Sequence, residues 1–282
     1  MPFDLTIVDK PTAPRALSYT WKDTVLYALG VGAKVDELDY LYEGRGPKVL
    51  PSFAVVSKFD PMLDVLGKSG GNLAMVVHGG ERVRIHKPFA PAGTLTTTAK
   101  IRGIYDMRRL AVVLVDTEAK DASGELVCET TSSIFFRGEG GFGGEVPPKE
   151  DVGIDVPKDR PADFRVEETT SKEQALLYRL SGDFNPLHAD PDFAKQVGFE
   201  KGPIFHGLGT FGYMVRHVVK GALGGDGSKL TGFAAQFRKP VWPGDTIVTE
   251  GWNVAPGKIA LKVSVKERDE AVINAAWATT TA

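Results

Sequence analysis

The sequence predicts an α+β protein in which antiparallel sheets wrap long helices, and three observations predict it. Two stretches in the first half reappear in the second at almost one offset. Each copy opens with a short helical pattern and continues into several strand-like runs joined by turn residues. Those strands follow one another without intervening helices, which argues against a doubly wound parallel sheet.

The repeat is carried by "TWKDTVLYALGVGA" (20–33) against "TSKEQALLYRLSGDF" (170–184), and by "IHKPFAPAGTLTTTAKI" (85–101) against "FRKPVWPGDTIVTEGW" (237–252). Tyr27 matches Tyr178 and Leu29 matches Leu180 at an offset of 151, while Lys87 and Pro88 match Lys239 and Pro240 at 152. At the head of the second copy Thr170 can cap a helix with Glu173 reciprocating, ahead of an apolar face of Leu176, Leu177 and Leu180; Thr20 and Asp23 hold the matching places in the first. Strand patterns follow in "RVRIHKPF", "GTLTTTAKIRGI", "LAVVLVDTEAK" and "LVCETTSSIFF". Residues 137–163, rich in glycine, proline and charge, read as a linker between a unit over 1–136 and a second over 164–282. In the second unit, Leu208, Phe211, Met214 or Val215 and Val218 recur at helical spacing within 202–222, where Gly207, Gly209 and Gly212 permit close approach of backbone or ligand. The strands "LTGFAAQF", "DTIVTEGWNV", "KIALKVSVKER" and "AVINAAWATT" complete it. In the first unit, 58–78 matches the long helix poorly and carries glycines, an expectation of a lost helical wall.

Composition narrows the function. With 34 basic and 36 acidic residues there is no global field to draw the protein onto nucleic acid or an anionic membrane. No run of eighteen apolar residues occurs and the N-terminus lacks a signal-peptide pattern, so a soluble, cytoplasmic protein is expected, or a peroxisomal one if the chain is a domain of a longer protein. Cys128, the single cysteine, excludes an intrachain disulfide framework and reads as buried filler in an alternating strand. "GEGGFGG" lacks the lysine-serine ending of a phosphate loop.

The chemistry concentrates in "YRLSGDFNPLHADPDFAK" (178–195), where Asp183, Asn185 and His188 lie within six positions. Two readings fit. D-x-N-P is good turn chemistry, with the polar groups serving as caps. Alternatively the loop curls so that a carboxylate and an imidazole share one water, a pair suited to proton transfer near neutrality. Asp183 falls opposite Gly32 of the first copy, which has nothing like "NPLH"; one working site per chain is expected. His206 and Gly207 open the long helix, whose free amides could receive a developing negative oxygen; packing and pocket roles stand equally for His206. His188, His206 and Asp183 or Asp190 could supply metal ligands, but no spacing of a known metal motif supports this and none is expected. His78 and His86 read as structural, and His217 as a surface residue.

The segment 178–215, followed by "FRKPVWPGDTI" (237–247), resembles the MaoC-like, or type 2, enoyl-coenzyme A hydratases, and the likeness extends over essentially the whole chain. It implies a double hot-dog fold with two units side by side. It also implies that Asp183 and His188 grip a catalytic water, that Asn185 supports them, and that the Gly207 amide contributes to an oxyanion hole. The reaction implied is reversible syn hydration of a trans-2-enoyl thioester to the (R)-3-hydroxyacyl thioester. Coenzyme A enters as the substrate's carrier, with Arg238 and Lys239 as candidate phosphate partners, no separate cofactor, and a homodimer as the assembly. A dehydratase acting on acyl-carrier protein, an acyl-thioester hydrolase and a non-catalytic acyl-thioester-binding protein are the alternatives.

Overall fold

The structure is a computed structural model that describes residues 3–148 and 154–281. Its ten strands are β1 (Arg15–Tyr19), β2 (Val76–Ile85), β3 (Gly93–Asp106), β4 (Leu110–Lys120), β5 (Leu126–Arg137), β6 (Phe164–Thr169), β7 (Leu230–Phe237), β8 (Thr246–Ala255), β9 (Lys258–Val265) and β10 (Glu270–Thr280). They form one antiparallel sheet in the order β1-β3-β4-β5-β2-β7-β10-β9-β8-β6. Adding five to each label of the first half gives the second half in reverse, so the sheet has a pseudo-twofold axis at its centre. There β2 and β7 pair from Gly80 opposite Gln236 to Arg84 opposite Gly232. A Cβ at Gly80 would lie 3.0 Å from the Ala235 carbonyl oxygen, a contact the seam leaves little room for. Both edge strands, β1 and β6, escaped the sequence reading because they are short and half-exposed, with little alternation to betray them.

Among the described residues seven α-helices accompany the sheet: α1 (Trp21–Gly30), α2 (Leu38–Leu41), α3 (Ala54–Ser57), α4 (Phe59–Gly67), α5 (Gln174–Tyr178), α6 (Pro191–Gln196) and α7 (Gly207–Ala222). α7 lies at the heart of the second unit with twelve of its sixteen residues buried, so it is enclosed by the sheet rather than laid on it. Gly209 and Gly212 make this packing possible, since a Cβ there would come within 2.4 Å of the Phe205 ring and 2.3 Å of Val31. Buried Arg216 fastens α7 to both halves, donating to Glu37 at 2.6 Å and to Glu168 at 2.7 Å. His217, expected at the surface, is fully buried instead because α7 is enclosed; it hydrogen-bonds the Thr249 hydroxyl on β8 at 2.8 Å, with Glu168 3.7 Å from its Nε2.

The anticipated capping box forms in the first copy, where the Thr20 amide donates to Asp23 at 2.7 Å, and is absent from the second. Thr170 instead donates its hydroxyl to the Asp245 carbonyl and accepts the Gly244 amide, tying the start of α5 to the turn before β8. The lost helical wall is likewise corrected. α3 and α4 run almost continuously, bending at Lys58, and their residues Met62, Val65 and Leu66 pack with Ile101, Val113 and Phe136 in a core of their own. Of the glycines of the expected gap, Gly67 ends α4 while Gly70 and Gly71 lie in the connection to β2, so the helical wall precedes them.

The described parts of the linker, 138–148 and 154–163, carry no helix or strand; its residues 149–153 lie outside the described residues. Its glycines serve the protein itself. The amides of Gly141 and Gly143 each donate to the Asp106 carboxylate at 2.8 Å, with Arg108 adding a third at 2.7 Å. Both glycines sit at positive φ, which lets their amides turn inward. Cys128 is buried on β5, and burial pushes its thiol up to about 12. Among the described residues, no helix is long and apolar enough to cross a membrane.

Candidate active site

α5 tightens into a 3₁₀ turn over Arg179–Ser181 and is stopped by Gly182 at a φ of 122°, which throws Asp183 out of the helical path. Asp183 then accepts the Asn185 amide at 3.2 Å, and Asn185 accepts the Leu187 amide at 3.0 Å, capping a second 3₁₀ turn over Pro186–His188. The turn chemistry and the reactive constellation are therefore one object. Capping by the two side chains bends the loop until His188 comes back toward Asp183.

His188 is buried and donates Nδ1–H to the Ile204 carbonyl at 2.8 Å. A carbonyl only accepts, so the tautomer is set and Nε2 carries the free lone pair. Asp183, His188 and His206 bring side-chain donor atoms within 4.8 Å of one another, a gap that one water between carboxylate and imidazole can bridge. Burial holds the His188 imidazole below the ordinary histidine range, with Asp183 opposing that shift. His206 is 1 % exposed, and its ring stacks on His188. Its Nε2–H donates to the Asp183 carbonyl at 3.2 Å while Nδ1 finds no partner among the described residues. Burial, then the neighbouring His188, pushes His206 down to about 2. Both expectations for His206 thus hold in part: it packs, and it props the two groups that face the pocket. The donor set of Asp183, His188 and His206 has the spacing of a metal cluster.

These groups open on a cavity of about 830 Å³. Gly207 lines it as the first residue of α7, with the amides of the first turn unclaimed, since the first helical bond runs from the Thr210 amide to the His206 carbonyl. The sequence-predicted residues Asp183, Asn185, His188, Gly207, Arg238 and Lys239 all border this one cavity. Arg238 donates to Gln236 at 2.6 Å, and exposed Lys239 lies 3.8 Å from Glu270. α4 supplies Met62, Leu63 and Leu66 to the opposite wall, giving it an apolar lining from the first unit. One residue that the sequence did not place at the site also stands there. His78, read as structural, lies on the cavity wall with its ring edge-on to Phe237, centroids 5.3 Å apart. No short motif marked it; only the cross-unit pairing of β2 with β7 brings it near the site.

Fold and cavity define a double hot-dog protein with an aspartate–histidine site in its second unit. The chain belongs to the MaoC-like hydratase 2 family. A model of the MFE-2 hydratase 2 N-terminal domain matches residues 17–138, and a model of the MaoC like domain matches 155–276. The 3-hydroxyacyl-thioester dehydratase Y of Mycobacterium tuberculosis is 39% identical over 96% of this chain and 94% of its own. The peroxisomal enoyl-CoA hydratase 2 of Arabidopsis thaliana is 32% identical over 96% and 93%. The crystal structure of a MaoC-like dehydratase from Phytophthora capsici superposes with a TM-score of 0.87 at 32% identity, covering 99% of this chain and 98% of that one.

Proposed function

We propose that the protein is an (R)-specific enoyl-CoA hydratase, adding water reversibly across a trans-2-enoyl-CoA to give the (R)-3-hydroxyacyl-CoA. The observation that carries this reading is the convergence of the Asp183 carboxylate and the His188 imidazole beside the open amides of α7, at the polar end of an otherwise apolar cavity. The thioester carbonyl accepts from the Gly207 amide, which stabilises the enolate-like oxygen that forms when water attacks carbon 3. Asp183 and His188 act as a coupled acid–base pair on that water and on carbon 2. Asn185 holds the loop that carries them. The scheme calls on no metal or redox group, and coenzyme A is part of the substrate. Arg238 and Lys239 at the cavity rim are the proposed contacts of its phosphates.

The first unit, over 1–136, shapes the acyl wall, and the linker over 137–163 joins it to the catalytic unit over 164–282. A homodimer working in the cytoplasm completes the proposal. The relatives' names support the chemistry in both directions, hydration and dehydration being one equilibrium. Crotonyl-CoA tests the reading. Loss of the conjugated enoyl absorbance without release of thiol is expected; release of thiol identifies a hydrolase, and binding without turnover removes the enzymatic reading. A carrier-protein-linked substrate in the same assay separates the dehydratase.

A further inference from the structure

The first unit carries a buried polar cluster that the reaction above does not use. Lys58 and Glu81 are both fully buried, and the Lys58 ammonium donates to Glu81 Oε2 at 2.5 Å and to the Ser132 hydroxyl at 2.7 Å. Ser132 returns a hydrogen bond to the same Glu81 oxygen at 2.9 Å. His78 completes the group, its Nε2 lying 3.0 Å from Glu81 Oε2 and 3.0 Å from the Gly80 carbonyl. Carboxylate and carbonyl both accept only, so Nε2 must carry the proton and Nδ1 must be a bare lone pair. Nδ1 makes no hydrogen bond to a described residue and is not among the atoms sealed from solvent, while the residue borders the cavity. The neighbouring wall of Val76, Val77, Met62, Leu66 and Phe135 is apolar, with Asp60 of α4 the carboxylate on that side of the cavity. A rigid ion-paired frame thus holds His78, with one acceptor nitrogen unclaimed by the described residues, at the edge of a largely apolar stretch of the cavity.

We propose that His78 is a specificity-determining contact, accepting a hydrogen bond from a hydroxyl group on the acyl chain of the substrate. The inference rests on the hydratase reading and adds the substrate class: enoyl thioesters whose acyl group bears a hydroxyl beyond the reacting carbons. A plain alkyl chain covering Nδ1 strips it of water and gives nothing back, whereas a hydroxyl there restores the bond. Sites built to hydrogen-bond a substrate hydroxyl discriminate strongly against the analogue that lacks it. The acyl side is favoured over the thioester arm because the surrounding wall is apolar and belongs to α4, β2 and β5.

The test compares kcat/KM for oct-2-enoyl-CoA with a series carrying a hydroxyl at successive carbons from carbon 5 to the chain end. For the wild type, at least one hydroxylated isomer is expected to exceed the plain chain by about tenfold. In His78→Phe, with thermal unfolding confirming an intact fold, that ratio falls to about one, and in His78→Gln, which retains an acceptor, part of it survives. A wild type that favours the plain chain over every isomer overturns the proposal, as does a His78→Phe protein with an unchanged ratio. An equal loss on all substrates, crotonyl-CoA included, assigns the donor to the amide of the thioester arm and overturns the acyl assignment. Failure of the wild type to hydrate crotonyl-CoA at all refutes the hydratase reading instead, so the two failures are distinct.

Discussion

The imidazole rings of His188 and His206 stack face to face, with centroids 3.6 Å apart and planes 26° from parallel. Two cations cannot share that spacing out of water, so at most one ring can be charged, and burial holds both below the ordinary histidine range. His78 and His217 are also held below the ordinary range, by burial first of all. For a group whose pKa is depressed on folding, the unfolded chain takes up the proton first as pH falls. Folding stability therefore declines once pH drops below about 6.5, by roughly 1.4 kcal/mol per pH unit for each histidine kept neutral. Urea midpoints measured from about pH 8 to pH 5 should be level above neutrality and fall below it. A midpoint that rises on acidification contradicts the neutral stack.

Replacing Asp183 by Asn, or His188 by Ala, should lower kcat by at least about a hundredfold while the unfolding midpoint and thioester binding hold. Combined, the two changes should cost much less than their product, since both groups address one water. A folded Asp183→Asn protein working within about threefold of the parent would leave this loop with capping as its whole purpose.

The oxyanion role proposed for Gly207 has an unusually clean probe. His206 stands at φ −58° and ψ 137°, a conformation that accepts a following proline, and the first helical position tolerates proline because its amide has no intrahelical partner. Gly207→Pro should delete one N–H and leave α7 in place, reducing kcat by about 10²–10³. Gly207→Ala keeps the N–H and sets its methyl 3.6 Å from Phe237, an ordinary contact, so its loss should be far smaller. Equal rates for the proline and alanine variants would remove the amide from the mechanism.

Gly32 occupies the place in the first unit where Asp183 stands in the second. Its φ is 84°, and a Cβ would meet the Tyr213 ring at 2.3 Å. Gly32→Ala therefore combines a left-handed backbone with overpacking and should cost about 2–4 kcal/mol in chemical denaturation. A change below about half a kcal/mol would show that Tyr213 has room to move.

Leu63 borders the cavity yet is 43% exposed, so a larger side chain there has somewhere to go without breaking the core. Leu63→Trp should narrow the channel, lowering kcat/KM for long enoyl chains by about tenfold while crotonyl-CoA is spared. Chain-length profiles of the two proteins check this; a uniform loss at every length would place Leu63 away from the acyl path.

Most of the architecture was legible because duplication wrote it twice. Matches at Tyr27 and Tyr178 fixed the frame, and these two rings do meet across the pseudo-axis, 6.0 Å apart. The long helix and eight strands announced themselves by periodicity. What escaped was decided by distant partners. His217 reads as a surface histidine in its own helix, and its buried partners, Thr249 on β8 and Glu168 on β6, are distant in sequence. Nothing in the sequence singled out Lys58, which sits buried between α3 and α4 because Glu81, twenty-three positions on, accepts its ammonium. The loop carrying Asp183 and His188 was visible as a cluster, but not the Ile204 carbonyl that sets the tautomer of His188.

The pairing of β2 with β7 joins in one polypeptide what two identical subunits would otherwise have to assemble. In a symmetric pair every substitution is made twice, once on the face that reacts and once on the face that merely accommodates, and each must tolerate it in both settings. Here the copies are inherited separately. The first copy can hold Gly32 where the second holds Asp183, and can carry the buried Lys58–Glu81 pair elsewhere in its own fold, without any echo in the second copy. Dilution has no hold on the arrangement either, because the tether keeps the two walls together at any concentration.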